Sequence, residues 1–211
     1  MQLLSINLSS GSDLQFGPRV SRTGIHKTPV PEATLEPLGL NGDVVANAKH
    51  HGGPDQAIYV YSAEDYAWWE TLLGRSLRPG TFGENLTLSG FGPGPVRIGD
   101  RYQVGAALIE VTAPRIPCST LAAHMGDSDF IARFRNAERP GFYARVLTPM
   151  IVREGDRVSV DARPSGVGVI DLFKLWYVAA PDAGSLTEAL AAPIAIRMRA
   201  RFEKLLAETT A

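Results

Sequence analysis

The stretch Ala107-Leu-Ile-Glu-Val-Thr112 is a short apolar run that a proline-containing loop follows. A run of this length, bounded by turn signals, is typical of a β-strand rather than a helix. Glycine and proline, with 21 and 15 occurrences in 211 residues, favour many short strands along the chain. The sequence therefore predicts a mainly β fold with further strands over Leu3 to Leu8, Ala57 to Tyr61, Asn85 to Leu88, Phe142 to Leu147 and Arg157 to Val160.

Three Gly-Asp dipeptides each stand just before a candidate strand: Gly42-Asp43, Gly99-Asp100 and Gly155-Asp156. Glycine accepts positive φ angles, and aspartate hydrogen-bonds the neighbouring backbone, so the pair suits a tight turn. We interpret all three as corners of the fold without a catalytic role.

Two helices are predicted to interrupt the sheet. The first spans Ser62 to Leu73, with Ser62 as N-cap and Gly74 as terminator. The second, shorter helix runs from Ser128 through Phe134. The aromatic stripe of the first helix favours a place in the core over a ligand site.

Beyond Asp161 the apolar pattern becomes helical, after a linker over residues 163–166. Three short helices are predicted: one around Ile170 to Trp176, one opened by the capping box Ser185 to Glu188, and one begun by Pro193. The sequence thus predicts a main domain, residues 1–162, and a small all-α three-helix domain, residues 163–211.

The last predicted helix carries Arg197, Arg199, Arg201 and Lys204. A solvated surface is the simpler interpretation of these basic residues. The alternative is a docking surface for an acidic partner.

The charge balance, 21 Lys plus Arg against 22 Asp plus Glu, argues against binding of polymeric nucleic acid, which requires a basic face. Only one cysteine is present, so an internal disulfide is excluded and a reducing compartment is favoured. No targeting peptide and no membrane-spanning segment are recognisable in the sequence. We therefore expect a cytoplasmic protein.

The first group of reactive residues is Lys49-His50-His51-Gly52-Gly53-Pro54-Asp55-Gln56. The glycines permit close approach of the backbone to a ligand, and Lys49 adds a point charge suited to phosphate. A cradle for a phosphate or polar cofactor is one interpretation. An ordinary turn beside a pair of hydrogen-bonded histidines is the other.

The second group is Gly80-Thr81-Phe82-Gly83-Glu84-Asn85. Glu84 accepts hydrogen bonds from a heterocycle with adjacent N–H groups, and Asn85 both donates and accepts. These side chains suit the edge of a pterin or purine, whereas a simple β-turn explains the pattern equally well.

The third group is Pro114-Arg115-Ile116-Pro117-Cys118. The prolines stiffen the approach to the thiol, and Arg115 favours its thiolate form. A thiolate serves as nucleophile or as soft metal ligand. Against both stands the common role of cysteine as a small buried hydrophobe.

The three groups resemble the MOSC family in their order and residue identities, as does the stretch Ile98-Gly99-Asp100-Arg101, which lies between the second and the third group. The family is named for the C-terminal domain of molybdenum cofactor sulfurase. The similarity extends to Thr23-Gly24-Ile25-His26-Lys27-Thr28-Pro29-Val30, to Gly141-Phe142-Tyr143-Ala144-Arg145-Val146 and to the helical tail, which is similar to the three-helix extension of the YiiM-like branch. The resemblance covers nearly the whole chain.

This resemblance implies a MOSC-type β-barrel that holds a pyranopterin molybdenum cofactor, with Cys118 as molybdenum ligand. It implies that the other two groups and Arg115 surround the cofactor. Pyridoxal phosphate is not expected. From side-chain chemistry we assign cofactor contacts to Lys49, His50, His51, Gly52, Gly53, Asp55, Thr81, Phe82, Glu84, Asn85 and Arg115. Ser119 departs from the aromatic residue that often follows the family cysteine, which affects the expected shape of the substrate pocket.

The resemblance further implies reduction of small N-hydroxylated compounds such as hydroxylaminopurines, with electrons from an external flavoprotein that uses NAD(P)H. The helical tail is a candidate docking module for that donor. His51, or alternatively His50, is a candidate proton donor to the departing amine because histidine in general has an unperturbed pKa near neutrality. A homodimer is one assembly considered.

Two other function classes are considered. A non-catalytic cofactor carrier or sulfur-handling protein would use the same fold and thiol. A thiol hydrolase would pair Cys118 with His50, His51 or His124.

Overall fold

The computed structural model describes residues 1–16, 18–46, 52–92, 94–163 and 166–210. Within them the strands are Leu3–Leu8 (β1), Ser12–Phe16 (β2), Arg19–Thr23 (β3), Thr28–Val30 (β4), Glu32–Glu36 (β5), Gly39–Leu40 (β6), Ile58–Ser62 (β7), Leu86–Leu88 (β8), Arg101–Val104 (β9), Ala107–Pro114 (β10), Phe142–Thr148 (β11), Met150–Arg153 (β12) and Val158–Asp161 (β13). The helices are Ala63–Leu73 (α1), Ser119–Met125 (α2), Phe130–Ala137 (α3), Val169–Trp176 (α4), Ala183–Ala191 (α5) and Ile196–Thr210 (α6), with a 3-10 turn over Pro54–Gln56.

The main sheet has eight strands in the order β13-β9-β10-β11-β7-β8-β1-β4. The β7–β8 pair is parallel, and the other neighbours are antiparallel. The sheet curls back on itself, because the Val158 N–H donates to the Met1 carbonyl and the Leu3 N–H to the Asp156 carbonyl, both at 2.9 Å. The predicted mainly β fold with a helical tail is confirmed.

Two smaller sheets complete the β structure. Strands β12, β5 and β6 form one, and the β2–β3 hairpin forms the other. All six predicted strands are present, with bounds that shift by one or two residues. Strands β2 to β6, β9 and β12 were not predicted. Burial along β3, β4 and β5 is irregular and gives no clear alternation.

Helix α1 has the predicted ends. The Ser62 side chain accepts a hydrogen bond from the Asp65 N–H, and Gly74 adopts the left-handed conformation with φ 65°. Helix α3 begins two residues later and ends three residues later than predicted. Helix α2 was not predicted; it begins directly after Cys118 and ends at Gly126.

These helices pack through an aromatic cluster. Trp69 of α1 contacts Phe130 and Phe134 of α3 and Phe82 of the loop before β8, with ring centroids 5.2 to 5.9 Å apart. All four rings are buried, and aromatic pairs at such distances stabilise a core beyond simple area burial. The interpretation of the α1 aromatic residues as core is therefore confirmed for Trp69.

The tail consists of α4, α5 and α6, as predicted, with two corrections. Helix α6 begins at Ile196, so the prediction that Pro193 starts it is wrong. Helix α5 begins at Ala183 and is capped by Asp182, whose carboxylate accepts the Ser185 N–H at 2.9 Å. The predicted capping box with Ser185 as N-cap is wrong, because the carboxylate of Asp182 already satisfies the first free N–H groups. Backbone hydrogen bonds from Ile98 to Val167 and from Val169 to Val96 attach the tail to the segment before β9, and one from Ala195 to Thr112 attaches it to β10.

Two basic residues of α6 are not part of a solvated face. Arg199 donates to the carbonyls of Leu190 and Ala192 at 2.9 and 2.8 Å, and so completes the C-terminal end of α5. Arg197 bonds to the loop before β7. The solvated-surface interpretation is therefore wrong for these two arginines.

In the part of the chain that the structure describes, every helix falls short of the length or apolar character needed to traverse a bilayer.

Candidate functional site

A cavity of about 150 Å³ lies where the β2–β3 hairpin, the segment after β6 and the loop after β10 meet. Its polar wall residues include Arg22, Lys27, Asp43, Asn85, Arg115 and Cys118. Pockets that enclose a whole small-molecule ligand usually exceed about 300 Å³. A ligand as large as a pterin would therefore occupy this cavity with one part of its structure.

Cys118 reaches the cavity from the junction between β10 and α2. Pro114 ends the strand, and Pro117 fixes the backbone immediately before the cysteine. The Cys118 carbonyl accepts the Leu121 N–H at 3.0 Å, which starts α2. Cys118 is only partly buried and lines the cavity, so its interpretation as a sealed core hydrophobe is wrong.

Arg115 places a buried cation in the same wall. It is 4% exposed, and its guanidinium carbon lies 4.9 Å from the centroid of the Tyr59 ring. Its charge also acts on Tyr143, whose pKa burial raises and Arg115 lowers. Burial alone would lower the pKa of Arg115, but Tyr143, Tyr59 and Cys118 around it raise that pKa above its ordinary value. The guanidinium therefore stays charged.

The Nε atom of Arg115 is buried and has no hydrogen-bond partner among the described residues. A buried donor without a partner costs free energy, roughly 1–3 kcal/mol, which an acceptor on a ligand would recover. Together with the position of Arg115 in the cavity wall, this donor indicates a site for an anionic or hydrogen-bond-accepting ligand.

Lys27 and Asp43 form a buried ion pair on another side of the cavity, with Nζ and Oδ2 2.6 Å apart and both side chains 6% exposed. Burial lowers the pKa of Lys27, and the Asp43 carboxylate acts against that shift. Asn85 joins the pair: its Nδ2 donates to Asp43 Oδ2 at 2.8 Å, and its Oδ1 accepts the Tyr59 N–H at 3.1 Å.

The sequence analysis missed Lys27 and Asp43 as site residues. Asp43 was interpreted as a corner only, and Gly42 does have the positive φ of 86° that a corner requires. The other two dipeptides fit the prediction, since Asp100 and Asp156 accept backbone N–H groups three residues before them. Asp43 differs from the other two aspartates because it pairs with a cationic residue, Lys27, from another motif of the chain. That lysine is the signal in the sequence that could have marked Asp43 as a site residue.

Glu84 lies behind the cavity wall rather than in it. Its Oε1 accepts hydrogen bonds from the Tyr66 hydroxyl and the Gly80 N–H, both at 2.6 Å, and from the Thr87 hydroxyl at 2.9 Å. Burial raises the pKa of Glu84. Its second oxygen, Oε2, has no partner among the described residues. Glu84 therefore orders the loop between α1 and β8.

Of the second predicted group, only Gly83 and Asn85 line the cavity. Phe82 belongs to the aromatic cluster, and the Thr81 hydroxyl donates to the Arg78 carbonyl at 2.6 Å. Gly83 is required for close packing, because a Cβ there would lie 2.7 Å from Ile25 Cδ1. Thr81, Phe82 and Glu84 are not among the residues of the cavity wall, and their predicted contacts with a ligand stay predictions.

In the first predicted group, Gly52 and Gln56 line the cavity. Gly53 opens the 3-10 turn with φ 85°. Asp55 is not among the residues of the cavity wall, and its carboxylate bonds to Arg145 and to the Ile196 N–H. Lys49, His50 and His51 lie outside the described residues, so their predicted roles stay predictions.

His124, which the hydrolase alternative invoked, lies elsewhere. It is not among the residues of the cavity wall, and its ring packs edge-on against His26 with centroids 4.6 Å apart. Burial, with His26 and Arg115 nearby, lowers its pKa to about 4. The structure therefore does not place His124 in the cavity wall with Cys118, as the hydrolase alternative would need.

The cavity wall thus combines a thiol, a buried guanidinium and an excess of positive charge. Among the described wall residues, Arg22, Lys27 and Arg115 face a single carboxylate, Asp43. This set suits an anionic ligand that carries a soft metal, because thiolates favour soft metals and guanidinium groups favour oxyanions. Residues 47–159 match the family model described as the MOSC domain. The chain belongs to the MOSC family.

This MOSC protein is 36% identical to the uncharacterized protein YflK of Bacillus subtilis over 187 residues, which are 88% of this chain and 83% of YflK. It is 33% identical to the protein YiiM of Escherichia coli over 174 residues, or 80% of this chain and 78% of YiiM. The crystal structure of YiiM from Geobacillus stearothermophilus matches with a TM-score of 0.78 and 30% identity, over 97% of this chain and 98% of that one. These matches confirm the YiiM-like assignment.

A more distant match bears on chemistry. This MOSC protein is 32% identical over 135 residues to a protein named reductase from Gibberella moniliformis. The match takes in 60% of this chain and 23% of that protein. Family membership as a whole indicates a function related to the molybdenum cofactor.

Proposed function

We propose that this protein is a molybdenum-cofactor oxidoreductase that reduces N-hydroxylated compounds, with hydroxylaminopurines as one substrate class. The observation that carries this proposal is the presence of Cys118 and the buried Arg115 in the wall of one cavity. The distant similarity to a protein named reductase supports redox chemistry over mere storage of a cofactor.

The residues of the cavity fit a pyranopterin molybdenum cofactor. The group is anionic through its dithiolene sulfurs and phosphate, and the cavity wall carries an excess of positive charge. Molybdenum bound by two sulfurs accepts one more soft ligand, which the Cys118 thiolate would supply. The unpaired Nε of Arg115 offers a hydrogen bond to the same ligand.

When bound, the cofactor would supply two-electron chemistry that removes oxygen from an N–O bond. The overall reaction takes the N-hydroxylated compound, two electrons and two protons to the amine and water. Within it, Cys118 would hold the metal and Arg115 would offset negative charge. The aromatic rings of Tyr59 and Tyr143 would shield that side of the cavity from water, because both residues are buried in its wall.

The proton for the departing amine remains assigned to His51, or to His50, as the sequence predicted. Electrons would come from an external flavoprotein that uses NAD(P)H. We place the protein in the cytoplasm, since reducing conditions keep the thiol of Cys118 available. Homodimer formation is retained as part of the proposal.

Expression in a host that makes the cofactor, followed by elemental analysis, tests the assignment. We expect wild type to contain molybdenum and to reduce an N-hydroxylated base when a chemical reductant supplies electrons. Cys118→Ser should fold normally, because Cys118 is only partly buried, but lose most of this activity. The matched control is Ser119→Ala, which removes an exposed hydroxyl beside the cysteine and should keep the activity of wild type.

Three results would contradict the proposal. Absence of molybdenum from the wild-type protein would contradict the assignment of the cofactor. Equal activity of molybdenum-loaded Cys118→Ser and wild type would contradict the role of Cys118 as metal ligand. Molybdenum without turnover of any N-hydroxylated base would favour the alternative of a non-catalytic carrier or sulfur-handling protein.

A further inference from the structure

Arg197, at the start of α6, bonds directly to the loop that lines the cavity. One guanidinium nitrogen, Nη1, donates to the Gly52 carbonyl at 2.8 Å and to Gln56 Oε1 at 2.6 Å. The two acceptors are separated from Arg197 by more than 140 positions in the sequence. Both Gly52 and Gln56 line the cavity, so the C-terminal helices reach the ligand site through this side chain.

A second anchor joins the same two parts of the chain. Asp55 Oδ2 accepts the Ile196 N–H at 2.9 Å, and Asp55 Oδ1 lies 3.1 Å from Nη2 of Arg145. Arg145 in turn donates to the Pro193 carbonyl at 3.1 Å. The tail thus holds this segment through the Gly52 carbonyl and through the side chains of Asp55 and Gln56.

The loop needs such anchors because of its composition. Gly52 and Gly53 adopt φ angles of 71° and 85°, and glycines lose the most backbone entropy when they are fixed. The only backbone hydrogen bond that closes the loop on itself runs from the Gln56 N–H to the Gly53 carbonyl at 3.0 Å, among the bonds of the described residues. Without outside contacts this segment would sample many conformations.

We infer that the C-terminal helices form part of the ligand site, with Arg197 as a positioning residue that fixes Gly52 and Gln56 in the cavity wall. The identity of the ligand rests on the proposed function, whereas the order of the loop does not. Because coupling between two sites is reciprocal, a ligand in the cavity also stabilises the start of α6. The tail is then a component of the binding site and not solely a surface for a partner.

Hydrogen exchange on the full chain without ligand tests the loop. In Arg197→Gln we expect the amides of residues 52–57 to exchange about tenfold faster than in wild type, which is the effect of losing one charge-assisted hydrogen bond. The matched control is Arg199→Gln, since Arg199 bonds only to α5 and its end among its described hydrogen bonds. It should loosen the tail but leave residues 52–57 unchanged.

Two further variants separate positioning from general loss of structure. Arg197→Lys keeps a cationic donor and should restore part of the protection. Gln56→Ala removes one acceptor and leaves α6 intact, so it should raise exchange of the loop even if Arg197→Gln fails to fold. Unchanged exchange of residues 52–57 in both Arg197→Gln and Gln56→Ala would overturn the inference, and so would equal effects of Arg197→Gln and Arg199→Gln.

Molybdenum content then connects the loop to the ligand. We expect Arg197→Gln, made in a cofactor-producing host, to retain several-fold less molybdenum than Arg199→Gln. If wild type holds no molybdenum while the exchange results are as expected, the proposed function fails and the positioning role of Arg197 stands. If wild type holds molybdenum and the loop exchange is unaltered in Arg197→Gln and Gln56→Ala, the positioning role of Arg197 fails and the assignment of the cofactor stands.

Discussion

Lys27 and Asp43 form a 2.6 Å ion pair in the wall of the cavity, although 16 positions separate them in the chain. Asp43 also accepts the Ser9 N–H at 2.8 Å and the Asn85 amide at 2.8 Å. One carboxylate therefore ties together the segment after β1, the segment before β4 and the loop before β8. This arrangement fixes the part of the cavity wall that Lys27, Asp43 and Asn85 form.

Removal of one member of this pair should destabilise the protein. Lys27→Met leaves the Asp43 carboxylate buried without its ion-pair partner. Removal of one partner from a buried ion pair typically lowers the free energy of unfolding by roughly 3–5 kcal/mol. The double variant Lys27→Met/Asp43→Asn should lose less than the two single losses combined, because neither charge is left alone. Urea unfolding of all four proteins measures the coupling. Strictly additive losses would show that the pair does not act as a unit.

The stability of the protein should fall between pH 6.5 and pH 4 through His124. Burial holds the pKa of His124 at about 4 in the folded protein, below its ordinary value of 6.5. The unfolded chain therefore takes up a proton first as the pH falls, so stability present above pH 6.5 is lost towards pH 4. The loss should be about 1–2 kcal/mol, because the ring is partly exposed and solvent screens its charge.

His124→Gln removes this titration and keeps an amide N–H for the Thr81 backbone that His124 contacts. Its unfolding free energy should change less than that of wild type between pH 7 and pH 5. Val178→Ala, at an exposed tail position, serves as the control with wild-type pH dependence. Identical pH profiles of wild type and His124→Gln would contradict this assignment.

Substitution of Arg115 should weaken ligand binding more than it weakens the fold. Arg115→Met keeps an apolar contact with the Tyr59 ring but removes the cation and the unpaired Nε donor. We expect molybdenum content to fall at least tenfold, the effect of losing one charged hydrogen bond. Arg115→Lys should be intermediate, because it keeps charge without the planar group. Wild-type molybdenum content in Arg115→Met would exclude a ligand contact.

Gly24 should tolerate no side chain. A Cβ at this position would lie 2.0 Å from the Val44 carbonyl oxygen, so the segments on two sides of the cavity would have to separate. Gly24→Ala should destabilise the protein by roughly 1–3 kcal/mol, the usual cost of overpacking. Thermal unfolding measures this effect, with Ala46→Ser, an exposed substitution at the cavity edge, as control. A melting temperature of Gly24→Ala equal to that of wild type would show that the backbone adjusts freely.

Several parts of the site could be predicted because their signals are local. Cys118 and Arg115 stand three positions apart, after a strand that the sequence predicted, and both reach the same cavity. Gly52, Gln56 and Asn85 were within predicted groups. Glu84 was in a predicted group as well, but its side chain turns toward Tyr66 and Thr87. A motif places the backbone of a loop and does not fix which of its side chains face the ligand.

The sequence by itself determined the mainly β fold, the helical tail, the caps of α1 and the single thiol, since each follows from periodicity, turn chemistry or composition within a short window. Only the tertiary structure decided that Asp43 meets Lys27, that Glu84 lies behind the wall and that Arg197 returns to Gly52 and Gln56. The physical reason is that these contacts depend on how the sheet curls and where the tail packs. Hydrogen bonds and ion pairs of that kind join residues far apart in sequence, and no local pattern encodes their partners.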